Sequence, residues 1–151
     1  MKKLLFSLSL LILSCQNPSK ITDQDVMNAF DNFFNIIDNN LSEFSSVVSD
    51  DFYIFENSRK YSTEEFIEFV SGFNIIETKR DYKDVIIETD YNSAHITLTQ
   101  FGEFIVNSPE GKIKMNFEWL ESAYLVKENG ILKFKFYFSE TINNSTSTIV
   151  E

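Results

Sequence analysis

Trp119-Leu120-Glu121-Ser122-Ala123-Tyr124-Leu125-Val126-Lys127-Glu128-Asn129-Gly130, followed by Ile131-Leu132-Lys133-Phe134-Lys135-Phe136-Tyr137-Phe138, reads as two long strands about one tight turn. Asn129-Gly130 is the strongest hairpin signal in the chain, because both residues tolerate the positive φ of a type I′ turn. After the turn, Leu132, Phe134, Phe136 and Phe138 share one face, while Lys133, Lys135 and Tyr137 share the other. In the preceding strand Ile113, Met115, Phe117 and Trp119 oppose Lys114, Asn116 and Glu118. Further back, Ala94, Ile96 and Leu98 oppose His95, Thr97 and Thr99. One dry and one wet face per strand is the pattern of an antiparallel sheet covered on a single side. With Tyr91-Asn92-Ser93 and Ser108-Pro109-Glu110-Gly111 as further turns, everything from Ile75 onward reads as four long strands.

Two places disturb the alternation. A glycine inside the strand pattern at Phe101-Gly102-Glu103 predicts a bulge or a sharp bend. At Leu120-Glu121-Ser122-Ala123 the parity is ambiguous: in phase with Trp119, Glu121 points to the dry face, and after a bulge it points to water.

The cover for the dry face lies upstream. Thr22 is an N-cap with Asp25 at N3, Ile21 can staple onto Val26, and Val26, Phe30, Phe33 and Ile37 recur at helical spacing to about Asp38. Asn39-Asn40 breaks that helix, and Leu41 to Ser49 predicts a short second one. Phe52-Tyr53-Ile54-Phe55 is rich in strand formers, and Glu56-Asn57-Ser58 turns it back into Arg59-Lys60-Tyr61. Ser62 and Glu65 form a capping box for a third helix whose stripe is Phe66, Phe69, Val70 and Phe73, ending near Gly72.

The chain is 151 residues long, with 13 basic and 23 acidic side chains, 16 Phe, four Gly and two Pro. That composition suits one packed domain, and its acidity disfavours nucleic acid and anionic membrane as partners. The single cysteine excludes disulfides and thiolate metal sites once it is spoken for. No metal cluster, phosphate-binding glycine loop or nucleophile elbow is present, and no cofactor is implied. Asp50-Asp51 and Glu64-Glu65 read as turn and helix-cap residues.

The order of a capped helix, a short helix, a strand pair, a capped third helix and a four-strand meander resembles the nuclear transport factor 2-like superfamily, the cystatin-like cones. Asp51-Phe52-Tyr53-Ile54-Phe55, Tyr61-Ser62-Thr63-Glu64-Glu65-Phe66 and the hairpin quoted above look like its SnoaL-like branches. The resemblance implies an α+β domain over residues 21–142, a curved, mainly antiparallel sheet wrapped around three N-terminal helices, with a pocket between them. The superfamily uses that pocket for isomerases, dehydratases and cyclases, and also for ligand binding or dimerisation; only a site can decide. Where many relatives carry a polar or histidine residue near the end of the last strand, this chain has Phe138 before Ser139. Such enzymes pair a carboxylate, whose pKa burial raises, with a donor such as tyrosine.

Glu121 is the candidate catalytic acid or base, with Gln100 and Tyr53 as neighbours; Phe117, Trp119, Phe134 and Phe136 would line the pocket and Glu140 its mouth. The simpler reading of both acids is an exposed strand-end carboxylate, because apolar positions outnumber polar ones in any pocket built here. His95 falls on the wet face by parity. Three functions follow: a nonenzymatic domain binding a small apolar ligand or an envelope protein, and able to pair as a homodimer; a small lyase or isomerase acting through Glu121; or a cone simply filled by its Phe side chains.

The N-terminus reads as an address. Lys2 and Lys3 precede the apolar run Leu4–Leu13, which is too short to span a bilayer and has secretory flanks. Ile12-Leu13-Ser14-Cys15 resembles the lipobox of bacterial lipoproteins, in which the cysteine is acylated and the preceding peptide removed. Residues 1–14 are then a signal peptide, 15–20 a lipidated Cys15 and tether, and 143–151 a polar, frayed tail. The expected location is the cell envelope, anchored by Cys15 to the bilayer, on the periplasmic side of the outer membrane.

Overall fold

The computed structural model describes residues 19–109 and 111–149, so the signal-like segment and Cys15 lie outside the described residues. Helix α1 (Asp23–Asn39) starts where its cap is written. Thr22 Oγ1 accepts from the Asp25 backbone N–H at 3.1 Å, and the Asp25 carboxylate accepts from the Thr22 N–H at 2.9 Å. A single 3₁₀ segment, Leu41–Ser46, takes the place of the expected second helix. Helix α2 (Thr63–Ser71) repeats the capping box with Ser62 and Glu65. Each box satisfies two of the amide groups that a helix start leaves without partners. Among the described residues no helix is long and apolar enough to cross a membrane.

Six strands form one curved, open sheet: β1 (Val48–Glu56), β2 (Arg59–Ser62), β3 (Ile75–Thr89), β4 (Ser93–Ser108), β5 (Gly111–Glu128) and β6 (Ile131–Thr148). Their order is β2-β1-β6-β5-β4-β3. Only β1 and β6 run parallel. Asn129 (φ 50°) and Gly130 (φ 85°) make the β5–β6 turn in the left-handed conformations expected of them. The fold is therefore the predicted α+β cone.

The core sits between α1 and the inner face of the sheet. Phe33 stacks on Phe134 at 4.2 Å between ring centroids and on Tyr137 at 5.3 Å. Ala94, Ile96 and Leu98 from β4 and Ala123 and Leu125 from β5 are buried beside them, and Phe44 closes the cluster.

Three local expectations change. Gly102 interrupts nothing: β4 stays in continuous register with β5, from Phe101↔Glu118 through Gly102↔Phe117. The missing side chain makes room for Trp119 instead. The parity break falls on β6 rather than β5. Lys135 has no opposite number on β5, since Tyr124 faces Phe136 and Leu125 faces Phe134, and a second shift leaves Ile142 unmatched. Each extra residue is a bulge that swaps the faces of all that follow. Finally, the polar segment expected to fray is the second half of β6, paired with β5 as far as Ile113↔Thr148. Its threonines are good strand formers, and a waiting β5 edge supplies their hydrogen bonds.

Candidate functional site

β5 carries Met115, Phe117, Trp119 and Glu121 on its inner face, and β4 carries Gln100, Phe104 and Val106 beside them. The core cluster around Phe33, Phe44 and Phe134 does not fill this end of the sheet. A cavity of about 370 Å³ remains. Its rim is formed by Phe69 in the last turn of α2, Phe73 just after it and Ile75 at the start of β3, all more than a third exposed. The stripe predicted on α2 is thus split: Phe66 is buried, while Phe69 and Phe73 stand at the mouth.

The cavity lies far from the chain's N-terminal side. Ile37 and Asp38, at the C-terminal end of α1, line it. Ile21, at the other end, donates its N–H to the Asp90 carbonyl at 3.1 Å. The helix between them has 17 residues, hence a length of about 25 Å at 1.5 Å per residue.

One row of side chains forms the polar floor. Glu56 on β1 is paired with Ser139 on β6, and Ser139 is paired in turn with Glu121 on β5. All three line the cavity, with Tyr137 and Gln100 in adjacent rows. Glu121 is only 3% exposed, and burial pushes its carboxyl up to about 8, against weaker opposing effects of Tyr137, Arg80 and Ser139. Burial also pushes the half-buried Glu56 up to about 7, with the Glu140 charge adding to the rise and Ser139 opposing it. Tyr137, wholly buried beside Glu121, is held well above the ordinary tyrosine range, chiefly by burial. Tyr82 is pushed up to about 12 for the same reason.

The floor is incompletely satisfied. Glu121 Oε2, Gln100 Nε2 and the Tyr137 hydroxyl lack a partner of hydrogen-bonding geometry, although Tyr137 and Glu121 are near enough to influence each other. On the wall, Arg80 makes a two-pronged pair with Asp38 (Nη2–Oδ1 2.7 Å, Nε–Oδ2 3.1 Å). Its guanidinium also lies 4.3 Å from the Phe34 ring centroid. Arrangements of this kind can hold the polar end of an otherwise apolar molecule, or move a proton to or from it.

Of the residues expected in the pocket, Glu121, Gln100, Phe117 and Trp119 line it. Phe134 is buried deeper, in the core against Phe33. Tyr53, Phe136 and Glu140 do not line it: Tyr53 alternates with the inward Phe52 and Ile54 on β1, and the Lys135 bulge turns Phe136 and Glu140 outward. Beyond the bulge, Tyr137, Ser139 and Thr141 turn inward, while Phe136, Phe138 and Glu140 turn outward. Tyr53 packs on Phe136 at 5.1 Å on that outer face. The inner residue near the end of β6 is therefore the polar Ser139, not Phe138. His95 is on the outer face, with Nε2 2.9 Å from Ser122 Oγ. Glu56, Arg80, Tyr137 and Ser139 are the site residues that sequence reasoning missed. Only Glu56 left a legible signal, since it shares strand parity with the apolar Phe52 and Ile54.

A six-stranded open sheet over N-terminal helices, with a pocket at its wide end, is the fold of the nuclear transport factor 2-like proteins. No family profile matches the chain, and no curated protein sequence does. Solved structures match it in shape. A hexachlorocyclohexane dehydrochlorinase, LinA type 2, superposes with a TM-score of 0.68 at 10% identity, covering 86% of this chain and 96% of that one. A ketosteroid isomerase-like protein from Erwinia carotovora atroseptica gives 0.62 at 13% identity, covering 80% and 95%. The association domain of Caenorhabditis elegans CaMKII gives 0.64 at 13% identity, covering 77% and 92%. At these identities the likeness is one of fold, and the fold spans enzymes and assembly domains alike.

Proposed function

We propose that the chain is a lipid-anchored envelope protein whose cone binds one small, largely apolar molecule without transforming it. The observation that carries this reading is the cavity of about 370 Å³, open at an apolar rim and floored by unsatisfied polar groups. Its size falls within the ~300–1,000 Å³ of small-molecule sites, and few convergent polar groups in an apolar wall are what such sites use for orientation. Each buried polar atom without a partner costs about 1–3 kcal/mol, a penalty that a ligand's polar end would relieve. This space supports a binding cone over one that its phenylalanines fill.

Cys15 supplies the anchor in this proposal, through acyl chains worth ~0.8 kcal/mol per buried CH₂, on the periplasmic side of the outer membrane. With the mouth at the far end of α1 from the tether, the pocket faces away from the anchoring bilayer and loads from the aqueous side. A homodimer through the outer sheet face is compatible with the fold. The Lys135 bulge supports it by setting Phe136 outward with Tyr53 and Phe55, next to the exposed Leu120 and Tyr124.

Native mass spectrometry tests the binding reading. The protein purified from envelopes should carry a noncovalent small molecule, which Ser139→Leu, filling the floor, should exclude. An unmodified protein without such a ligand would overturn it.

One observation favours a second reading, a lyase or isomerase: Glu121 is pushed up to about 8 beside the Tyr137 hydroxyl, which suits general acid–base work near neutrality. Catalysed deuterium exchange into the α-carbon of a carbonyl compound, lost in Glu121→Gln, would establish that reading in place of a passive binder.

A further inference from the structure

We infer that the pocket takes an organic ammonium: an amine whose cationic head sits between Glu56 and Glu121 and whose apolar body lies along the aromatic walls. This rests on the reading of the cavity as a ligand site and adds the class of ligand. The charged side chains lining the cavity are Asp38, Glu56, Arg80 and Glu121. Arg80 is engaged by Asp38 through two hydrogen bonds, and among the described residues no other cation lines the cavity to balance Glu56 and Glu121. Strand register places these two on either side of Ser139, one strand away on each side. Glu121 lines the cavity, and its Oε2 is buried with no hydrogen-bond partner among the described residues.

The walls give an independent indication. Phe34, Phe69, Phe73, Phe117 and Trp119 line the same space, and Phe117 stacks on Trp119 at 4.9 Å. Aromatic faces attract an ammonium through the ring quadrupole, most strongly where water is excluded. A carboxylate head would find the one lining arginine already paired, and its charge would further oppose ionisation of the Glu pair. A neutral alcohol would give the Glu pair no counter-charge, so both carboxyls would keep their protons. An ammonium satisfies the floor and lets both carboxyls ionise.

Affinity for such a ligand should rise between about pH 6 and about pH 9, as Glu56 and Glu121 lose their protons while an alkylammonium keeps its own. The other charged or titratable groups near this pair are Asp38 from α1, Arg80 and Tyr82 from β3, and Tyr137 and Glu140 from β6. Both tyrosines keep their protons in that range, because burial holds them up.

Trp119, the chain's only tryptophan, is the reporter. Its fluorescence in the purified full chain would be followed on titration with phenylbutylamine, phenylbutanol and phenylbutanoate, three probes of one skeleton. The amine should bind about tenfold tighter than the alcohol, and the carboxylate more weakly than either. Glu56→Gln and Glu121→Gln should each bring the amine-to-alcohol ratio toward one. An alcohol that binds as tightly as the amine overturns the ammonium assignment and leaves the pocket reading standing. Failure of all three probes to bind overturns both. The comparison of amine with alcohol on the unmodified chain decides the matter even where a variant does not fold.

Discussion

A Cβ on Gly102 would stand 2.5 Å from Cζ3 of Trp119, so the indole packs against the bare backbone of β4. The same Cβ would lie 2.6 Å from Phe104 Cε2. Two rings that line the pocket are therefore seated by the absence of one side chain. Gly102→Ala should cost about 1–3 kcal/mol of stability through overpacking. It should also shift the Trp119 emission, because the indole must move into the cavity. Urea denaturation followed by fluorescence reads both; an unchanged midpoint with unchanged emission would show that the indole does not rest on Gly102.

The two raised carboxyls set a pH dependence of stability with a definite sign. Glu121 rises from 4.5 to about 8 on folding and Glu56 from 4.5 to about 7. In that interval the unfolded chain has released protons that the folded chain still holds, so stability falls as pH rises. It is fully present below about pH 4.5 as far as these two groups are concerned, and lost by about pH 8. Thermal melts across that window should show a declining midpoint, and Glu121→Gln should flatten most of the decline. A midpoint that climbs from pH 5 to 8 and is indifferent to Glu121→Gln would rule out a buried, protonated Glu121.

Helix entry was legible in the sequence because capping is local chemistry. Thr22 with Asp25 and Ser62 with Glu65 lie three residues apart, and nothing distant is needed to read them. Thr22→Ala should lose about 1 kcal/mol. Restoring a cap with Thr22→Ser should recover most of it. Equal stability of both variants would remove the cap from the list of forces that set α1.

The hairpin at Asn129-Gly130 was equally local, and β5 kept its phase so that Glu121 faces inward. The bulge at Lys135 was not legible. From Phe134 to Phe138 every residue is aromatic or a lysine with a long apolar stem, so two opposite registers bury comparable surface. What selects between them is Phe33 stacking on both Phe134 and Tyr137, a contact more than a hundred residues away in sequence. That one slip moved Phe136 and Glu140 off the pocket and brought Tyr137 and Ser139 into it. Glu56 was read as a turn residue because β1 runs further than its cluster of strand formers.

The proposed anchor makes its own prediction. Cys15→Ser should move the protein from the membrane fraction to the soluble fraction and abolish incorporation of labelled palmitate. Because the mouth and Ile21 lie at opposite ends of α1, ligand affinity should be the same for the anchored and the released protein. A large loss of binding on vesicles would place the mouth against the bilayer instead.

Backbone and indole NMR shifts on titration with phenylbutylamine test most directly whether the cone is a binding pocket. Binding inside it should perturb Gln100, Trp119, Glu121 and Ser139 together, and leave Tyr53, Phe55 and Phe136 on the outer face unmoved. Saturable shifts confined to the outer face, or none at all, would contradict the pocket.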